Sequence, residues 1–308
     1  MKVQIVSIDE ECADQRIDNF LLSRLKGVPK SRIYRALRKG EVRVNKGRVG
    51  ASYRLQAGDK VRVPPLRVPD PKVPVPTMPD LKQRVASRIL YEDDELIVLN
   101  KPSGLPVHGG TGISKGLIEV LRELRPRAKR IELIHRLDRG TSGCLLVAKK
   151  RGSLLEWHDL LARRQVKKRY LVLVKGRWKG ASQIVKQPLL KNVLRSGERV
   201  VTINEDGKPA TTRFTPLKCY TDATLLAADP VTGRTHQIRV HARSIGHPIA
   251  GDEKYGDDRF NRQMREKGVK RLFLHSASIS RQHFSDDAFN GVCAPMDEEL
   301  TYVLSKLK

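Results

Sequence analysis

Residues 134–149 read I-H-R-L-D-R-G-T-S-G-C-L-L-V-A-K. His135, Arg136, Asp138, Arg139, Thr141 and Ser142 crowd one polar stretch, with Gly140 and Gly143 as turn residues. Apolar runs flank it: Glu132-Leu133-Ile134 before, and Cys144-Leu145-Leu146-Val147-Ala148 after. That pattern predicts a hairpin with Asp138 at its mouth, held by strands and glycine-permitted turns. A carboxylate on such a support suits covalent or acid–base catalysis. The same string also fits a plain hairpin whose Asp caps its turn through the backbone. Residue types alone leave both readings open.

Histidines supply the other obvious chemistry. His135 beside Asp138 could serve a nuclease, but that chemistry normally shows a carboxylate cluster for Mg²⁺, and only Asp138 lies in such a polar loop. His236, His241 and His247 invite a metal reading. His236 and His241 are five apart, ~500° around a helix, so they diverge. The H-E-x-x-H spacing is absent, and no metal is expected. Cys12, Cys144, Cys219 and Cys293 form no C-x-x-C pair and are expected as reduced, packed thiols.

The positioning elements follow from periodicity. Strands are expected at 89–91, 96–100, 167–174, 223–228 and 272–277, and an amphipathic helix at 153–164 carrying Leu154, Leu155, Trp157, Leu160 and Leu161. Ile238, Ala242 and Ile245 share a helical face that Gly246-His247-Pro248 terminates. Residues 195–201 and 204–212 read as a loop or hairpin in the sheet. The glycine-rich run at 108–112 is no Walker loop, since no G-K-[ST] closes it. Near the N-terminus, Ile17, Phe20, Leu21 and Leu25 recur at helical spacing, as do Ile33, Tyr34 and Leu37. Pro29 and Gly27 separate these two helices and Ser31 can cap the second. Residues 41–45 alternate like a strand before the turn Asn45-Lys46-Gly47. Seven prolines in 64–79 favour an extended tether.

The 308 residues hold 60 Lys+Arg against 34 Asp+Glu, a net charge of +26 and a pI near 10.2. A chain this basic is expected to meet a polyanion. No apolar run approaches a bilayer span, and Met1–Asp9 is too short and mixed for a signal peptide. Cytoplasmic nucleic acid is therefore the expected partner. Without an obvious apolar interface strip, a monomer is expected.

His-Arg-Leu-Asp-x-x-Thr-Ser-Gly at 135–143 resembles the central motif of the RluA family of RNA pseudouridine synthases. Lys101-Pro102-Ser103-Gly104 resembles its first motif and is expected to form a fixed turn. Gly-Arg-Thr-His-Gln-Ile-Arg-x-His at 233–241 resembles its third, and Gly251-Asp252-x-x-Tyr255-Gly256 continues the pattern. The resemblance implies an isomerase that flips out a uridine and needs no cofactor. It assigns Asp138 as the catalytic carboxylate, Arg239 as its guanidinium partner, Tyr170 as the aromatic neighbour and Arg136 as the residue aiding base flipping. A bidentate guanidinium would keep a semi-buried carboxylate ionised and aimed. Leu274 is expected to line the base pocket. Gly140 stands where an acidic residue is common, so an altered turn or RNA contact is expected there.

Arg16-Ile17-Asp18-x-x-Leu21, Ser31-Arg32, Gly40-x-Val42-x-Val44-Asn45 and Gly58-Asp59-x-Val61 resemble an S4 RNA-binding domain. Lys30, Arg32, Arg35, Arg38 and Lys39 are its expected phosphate contacts. Three further segments, Val28-Pro29-Lys30-Ser31, Pro106-Val107-His108-Gly109-Gly110 and the run at 188–199, resemble the branch acting on large-subunit (23S) ribosomal RNA. The expected organisation is an S4-like domain at 1–63, a proline-rich linker at 64–80 and a catalytic domain at 81–308. The catalytic domain should be α+β, with a mixed, mostly antiparallel sheet, flanking helices and a central cleft. A non-catalytic RNA-binding or ribosome-assembly protein is the alternative.

Overall fold

The computed structural model describes residues 3–25, 28, 30–65, 79–109, 115–128, 130–193, 199–281 and 289–308. The chain divides into two compact units, Met1–Pro76 and Thr77–Lys308. Most of the proline-rich stretch lies outside the described residues, as do Gly27 and Pro29, which were expected to separate the first two helices.

The first unit contains β1 (Gln4–Ser7), α1 (Ile17–Arg24), α2 (Lys30–Arg38), β2 (Arg43–Val44) and β3 (Lys60–Val63). The strands form an antiparallel sheet in the order β1-β3-β2. In β3, Val61 and Val63 point inward while Lys60 and Arg62 face out, the period-2 pattern of a half-buried strand. Ile17, Phe20 and Leu21 from α1 meet Ile33, Ala36 and Leu37 from α2 in one core. Tyr34, expected on that apolar face, is exposed instead, and its hydroxyl donates to Asp18. Helix α2 already starts at Lys30, so Ser31 sits inside it and not at its cap.

The second unit opens with α3 (Pro79–Ala86), β4 (Ile89–Glu92), β5 (Leu96–Lys101), α4 (Leu117–Leu124), β6 (Glu132–Leu133) and β7 (Ser142–Ala148). Then come α5 (Arg151–Ala162), β8 (Val166–Lys175), β9 (Gln183–Lys186), β10 (Leu189–Val193), β11 (Arg199–Ile203), β12 (Thr211–Cys219) and β13 (Ala223–Pro230). The chain ends with α6 (Gln237–Ser244), α7 (Asp258–Glu266), β14 (Leu274–Arg281), β15 (Gly291–Cys293) and α8 (Glu298–Lys306). The main sheet runs β4-β5-β7-β14-β8-β13-β12-β9, with β6 on β7 and β15 on β14. Among the described residues β7–β14 is its one parallel pairing. This is the α+β, mostly antiparallel architecture expected. The β10–β11 hairpin forms a separate two-stranded sheet, not part of the main one.

Every residue of β5 and β7 is buried. Their near-continuous apolar runs have this cause: both faces of the sheet are covered. Ile97, Leu99, Leu145 and Val147 pack with Leu117, Ile118 and Leu121 of α4. Leu96, Val98 and Leu146 face the other way, toward Leu154 and Trp157 of α5. Leu155, expected on that same face, is 50% exposed. The thiols also differ from expectation: Cys144 is buried, but Cys219 and Cys293 are exposed.

Gly143 is required where it sits. Its φ is +104°, and an added Cβ would collide with the Ser276 carbonyl. Strands β7 and β14 meet there, with Ser276 opposite Gly143. The glycine thus lets β14 approach five residues beyond Asp138.

Candidate active site

The turn bearing Asp138 joins β6 to β7. Its ends are pinned by the hairpin: Leu133 pairs with Val147, and Ile134 N–H donates to the Leu146 carbonyl at 3.1 Å. Thr141 N–H closes the turn on the Asp138 carbonyl at 3.1 Å. Residues 101–104 clamp the next two positions. Gly104 N–H donates to the Arg139 carbonyl at 2.8 Å, and Ser103 Oγ to the Gly140 carbonyl at 2.8 Å. Lys101 is fully buried, and its Nζ donates to the carbonyls of Pro102, Leu105 and Arg139 at 2.9, 3.0 and 3.3 Å. Burial pushes its ammonium down to about 7, against the pull of Asp138. The fixed turn expected at 101–104 therefore holds the catalytic candidate's own loop. Gly140 has no left-handed φ and room for a Cβ beside Leu272, so glycine does not alter the turn.

Arg239, on α6, brings a guanidinium to this loop from 101 residues away. Its Nη1 donates to Asp138 Oδ2 at 3.1 Å. The bidentate pairing expected with Asp138 goes elsewhere: Nε and Nη2 both grip Asp252, each at 2.7 Å. Asp252 is fully buried, and its Oδ1 also accepts the backbone N–H groups of Lys254 and Tyr255 at 3.0 Å. Burial alone would raise its proton affinity; the Arg239 bonds and charge reverse this and lower it below the usual carboxylate value. The Asp138 side chain remains 29% exposed. Arg239 also stacks over the Tyr255 ring at 4.9 Å. His236 Nε2 lies 3.7 Å from Asp138 Oδ2.

Tyr170 stands on β8, opposite Ser276 of β14, and is 8% exposed. Burial pushes its phenol up to about 12, and the charge of Asp138 adds to that. The hydroxyl therefore stays protonated at neutral pH. Leu274 neighbours Val172 across the same strand pair and shares a core with Tyr170 and Leu137. Asp138, Arg239, Tyr170 and Leu274 thus belong to one region of the second unit. Arg136 is exposed, and its side chain makes no hydrogen bond or ion pair among the described residues.

His135 is differently employed. Its Nε2 accepts the Leu146 N–H at 3.1 Å, and burial drives its pKa down to about 3. A neutral imidazole whose acceptor nitrogen is already used cannot act as the base beside Asp138. The nuclease reading loses its partner residue. Among the described residues no group of three His, Cys, Asp or Glu is placed to hold a metal ion.

In the first unit, Arg35, Arg38 and Lys39 are exposed. Arg32 is half-buried and pairs with Glu41 at 2.8 Å, so its guanidinium is partly committed. The side chain of Lys30 lies outside the described residues.

Comparison with known proteins fits this arrangement. A family profile for RNA pseudouridylate synthase matches residues 95–244, a span containing Asp138, Tyr170 and Arg239. An S4 domain profile matches residues 15–61. The ribosomal large subunit pseudouridine synthase C of Pasteurella multocida (strain Pm70) is 54% identical over 99% of this chain and 94% of that protein. The protein of the same name from Escherichia coli (strain K12) is 54% identical over 99% of this chain and 97% of its own.

The chain belongs to the RNA pseudouridine synthase family.

The solved structure of human RNA pseudouridylate synthase domain containing 4 is 27% identical, with a TM-score of 0.59 over 74% of this chain and 97% of that one. Sequence reasoning singled out Asp138, Tyr170 and Arg239 through their resemblance to the family, and the structure brings Arg239 to Asp138. It assigned no role to Asp252 or Tyr255, although both lie in a string it had matched to the family. The unused signal was Asp252 itself, an acidic residue thirteen positions after a key Arg.

Proposed function

We propose that this pseudouridine synthase isomerises specific uridines in large-subunit ribosomal RNA, with Asp138 as its catalytic carboxylate. The relatives' names supply the substrate class. The observation that carries the site is Arg239, anchored by fully buried Asp252 and aimed at Asp138.

The reaction breaks the N1–C1′ bond of uridine, turns the base, joins C5 to C1′ and releases the C5 proton. The uracil carbonyls spread the charge left on the departing base, so one carboxylate can do what glycoside hydrolases do with two. The target must first leave the stack. Exposed Arg136, two residues before Asp138, is placed to fill the vacated space or hold a phosphate. The Tyr170 ring supports the extruded base beside Leu274, and its protonated hydroxyl relays a proton. Water must be kept out, or the glycosidic bond would be hydrolysed. This chemistry calls for no metal and no organic cofactor.

Residues 1–63 bind RNA through Arg32, Arg35, Arg38, Lys39 and Lys30, residues 64–80 tether, and residues 81–308 carry the chemistry. Tethering raises the effective concentration of one domain on RNA held by the other. Among the described residues no helix is long and apolar enough to cross a membrane. The reading places a monomer in the cytoplasm, where ribosomes are assembled.

The test uses ribosomal RNA carrying tritium at C5 of uridine. Tritium release without chain cleavage is expected, and Asp138→Asn should abolish it while leaving RNA binding intact. No release by the unmodified protein would support the binding-only alternative; shortened RNA would support a nuclease.

A further inference from the structure

His236 is the residue nearest Asp138 for which neither the fold nor the motif supplies a task. It caps α6 at its N-terminus, yet its side chain makes no capping bond. Its backbone is left-handed, at φ 53° and ψ 17°. Local preference at such a position runs to asparagine or glycine. An imidazole is kept there against that preference.

Its hydrogen bonds define which nitrogen carries the proton. Val201 N–H, on β11, donates to Tyr255 Oη at 2.9 Å. Tyr255 Oη lies 2.7 Å from His236 Nδ1. Tyr255 is 4% exposed, and among the described residues its hydroxyl has no other acceptor. With Val201 donating to Oη, the hydroxyl proton has one destination, Nδ1. Were His236 the donor, Oη would take two donors and strand its own buried proton. A neutral imidazole accepting at Nδ1 carries its proton at Nε2. That nitrogen is the one 3.7 Å from Asp138 Oδ2.

We infer that Tyr255 locks His236 in its Nε2–H tautomer, and that His236 thereby positions Asp138 by presenting an N–H to Oδ2. This rests on the reading of Asp138 as the catalytic carboxylate. Oδ2 then has Arg239 Nη1 at 3.1 Å and the imidazole N–H beyond it. Oδ1 accepts no hydrogen bond among the described residues, and it is the oxygen left for the substrate. The separation of 3.7 Å is longer than a hydrogen bond, but an N–H dipole still attracts a carboxylate at that range. The opposite tautomer would turn a lone pair on the carboxylate and push it away.

The surroundings agree. Burial lowers the proton affinity of His236; Asp138 and Asp252 oppose that, while Arg239 and Lys254 reinforce it. A neutral ring already protonated at Nε2 is not a base at that atom. His236 is accordingly a positioning residue and not a proton carrier.

Two measurements on the full chain test this. The first is long-range ¹H–¹⁵N NMR of protein labelled at histidine, with the His236 signals assigned by their loss in His236→Gln. The expected signature is a bare Nδ1 and a protonated Nε2, with the preference weakened in Tyr255→Phe. A protonated Nδ1, or an imidazolium at neutral pH, overturns the inference.

The second compares His236→Gln with His236→Asn. A Gln amide nitrogen reaches the place of Nε2 and can donate to Asp138; an Asn amide reaches only the place of Nδ1. Expected is a kcat for His236→Gln within ~10-fold of the unmodified protein and a loss of ~100-fold or more for His236→Asn, the scale of a lost catalytic-site donor. The KM for RNA should change little in either. A role confined to shaping the helix start predicts the reverse order, because asparagine suits the left-handed cap. Asn equal to or better than Gln therefore overturns the inference. Asp138→Asn in the same assay separates the two ideas: activity surviving there refutes the role of Asp138, whatever the tautomer.

Discussion

Arg239→Lys keeps a positive charge on α6 and removes the fork. Arg239 reaches Asp252 through two nitrogens at 2.7 Å and Asp138 through the third at 3.1 Å. A single ammonium cannot serve both carboxylates in that geometry. Asp252 is fully buried and Asp138 is 29% exposed, so the lysine should stay with Asp252. Asp138 then loses its charged hydrogen bond. Such a bond contributes about 1.5–3 kcal/mol net. Partial exposure of Asp138 argues for the lower half of that range. At 1.36 kcal/mol per tenfold, about 1.5–2 kcal/mol lowers kcat about 10–30-fold. RNA affinity should barely change, because the cations proposed to meet phosphate are untouched. Single-turnover tritium release at saturating enzyme measures the first quantity and filter binding the second. Arg239→Ala is the harsher control: it strands a buried carboxylate and should cost about 3–5 kcal/mol of stability. An Arg239→Lys protein with native stability and kcat within twofold of the original would refute the anchoring role.

Glu92 bonds Arg125 and, less strongly, Lys149, which pull its pKa down from 4.5 to about 2. Because the folded value is the lower one, this stabilisation is complete above about 4.5 and lost as pH falls toward 2. Glu92→Gln should therefore lower unfolding free energy by up to about 3 kcal/mol at pH 7, with the deficit shrinking in denaturant titrations run at successively lower pH; a deficit unchanged by pH would refute it. Gly143→Ala adds a side chain against the Ser276 carbonyl in a left-handed backbone, and should cost about 3 kcal/mol or more, read as a large drop in thermal midpoint or loss of soluble protein. Tyr170→Phe keeps the ring and removes the hydroxyl; RNA binding should hold while kcat falls, and an unchanged kcat would exclude the proton relay. Replacing exposed Arg35 and Arg38 with Gln should weaken RNA binding and flatten its salt dependence by about one slope unit for each phosphate no longer neutralised.

What the sequence made legible was whatever repeats locally. Alternation in β3, the apolar runs of β5 and β7 and the hairpin around Asp138 all follow from neighbours within a few residues. Leu155 shows the limit, since its spacing admits two faces of α5 and only the packing of Leu154 and Trp157 selects one. The β10–β11 hairpin shows another: residues 195–201 read only as a loop or hairpin in the sheet, and the hairpin's separation from the main sheet depends on which edge each strand meets. The supports of the site were hidden for the same reason. Val201, Tyr255, His236 and Asp138 come from four different segments, and nothing in local spacing says that they converge.

The placement of the guanidinium fork has a cause that sequence could not weigh. Arg239 has three donor nitrogens and two carboxylates within reach. An ion held fully away from water must be compensated where it stands, whereas a half-exposed one keeps part of its hydration. Burial therefore ranks the partners, and the two shortest bonds go to Asp252. The motif suggests a fork on the reacting carboxylate; desolvation gives the fork to the support and a single bond to Asp138. That division is chemically useful. A carboxylate gripped at both oxygens is a poor reactant, but one held at Oδ2 alone is aimed and still has Oδ1 to offer the uridine. Asp252→Asn should then impair the reaction without touching Asp138, because a neutral amide accepts only one of the two fork bonds and lets Arg239 turn. If Asp252→Asn folds normally and keeps its full kcat, the support is dispensable and the reasoning fails.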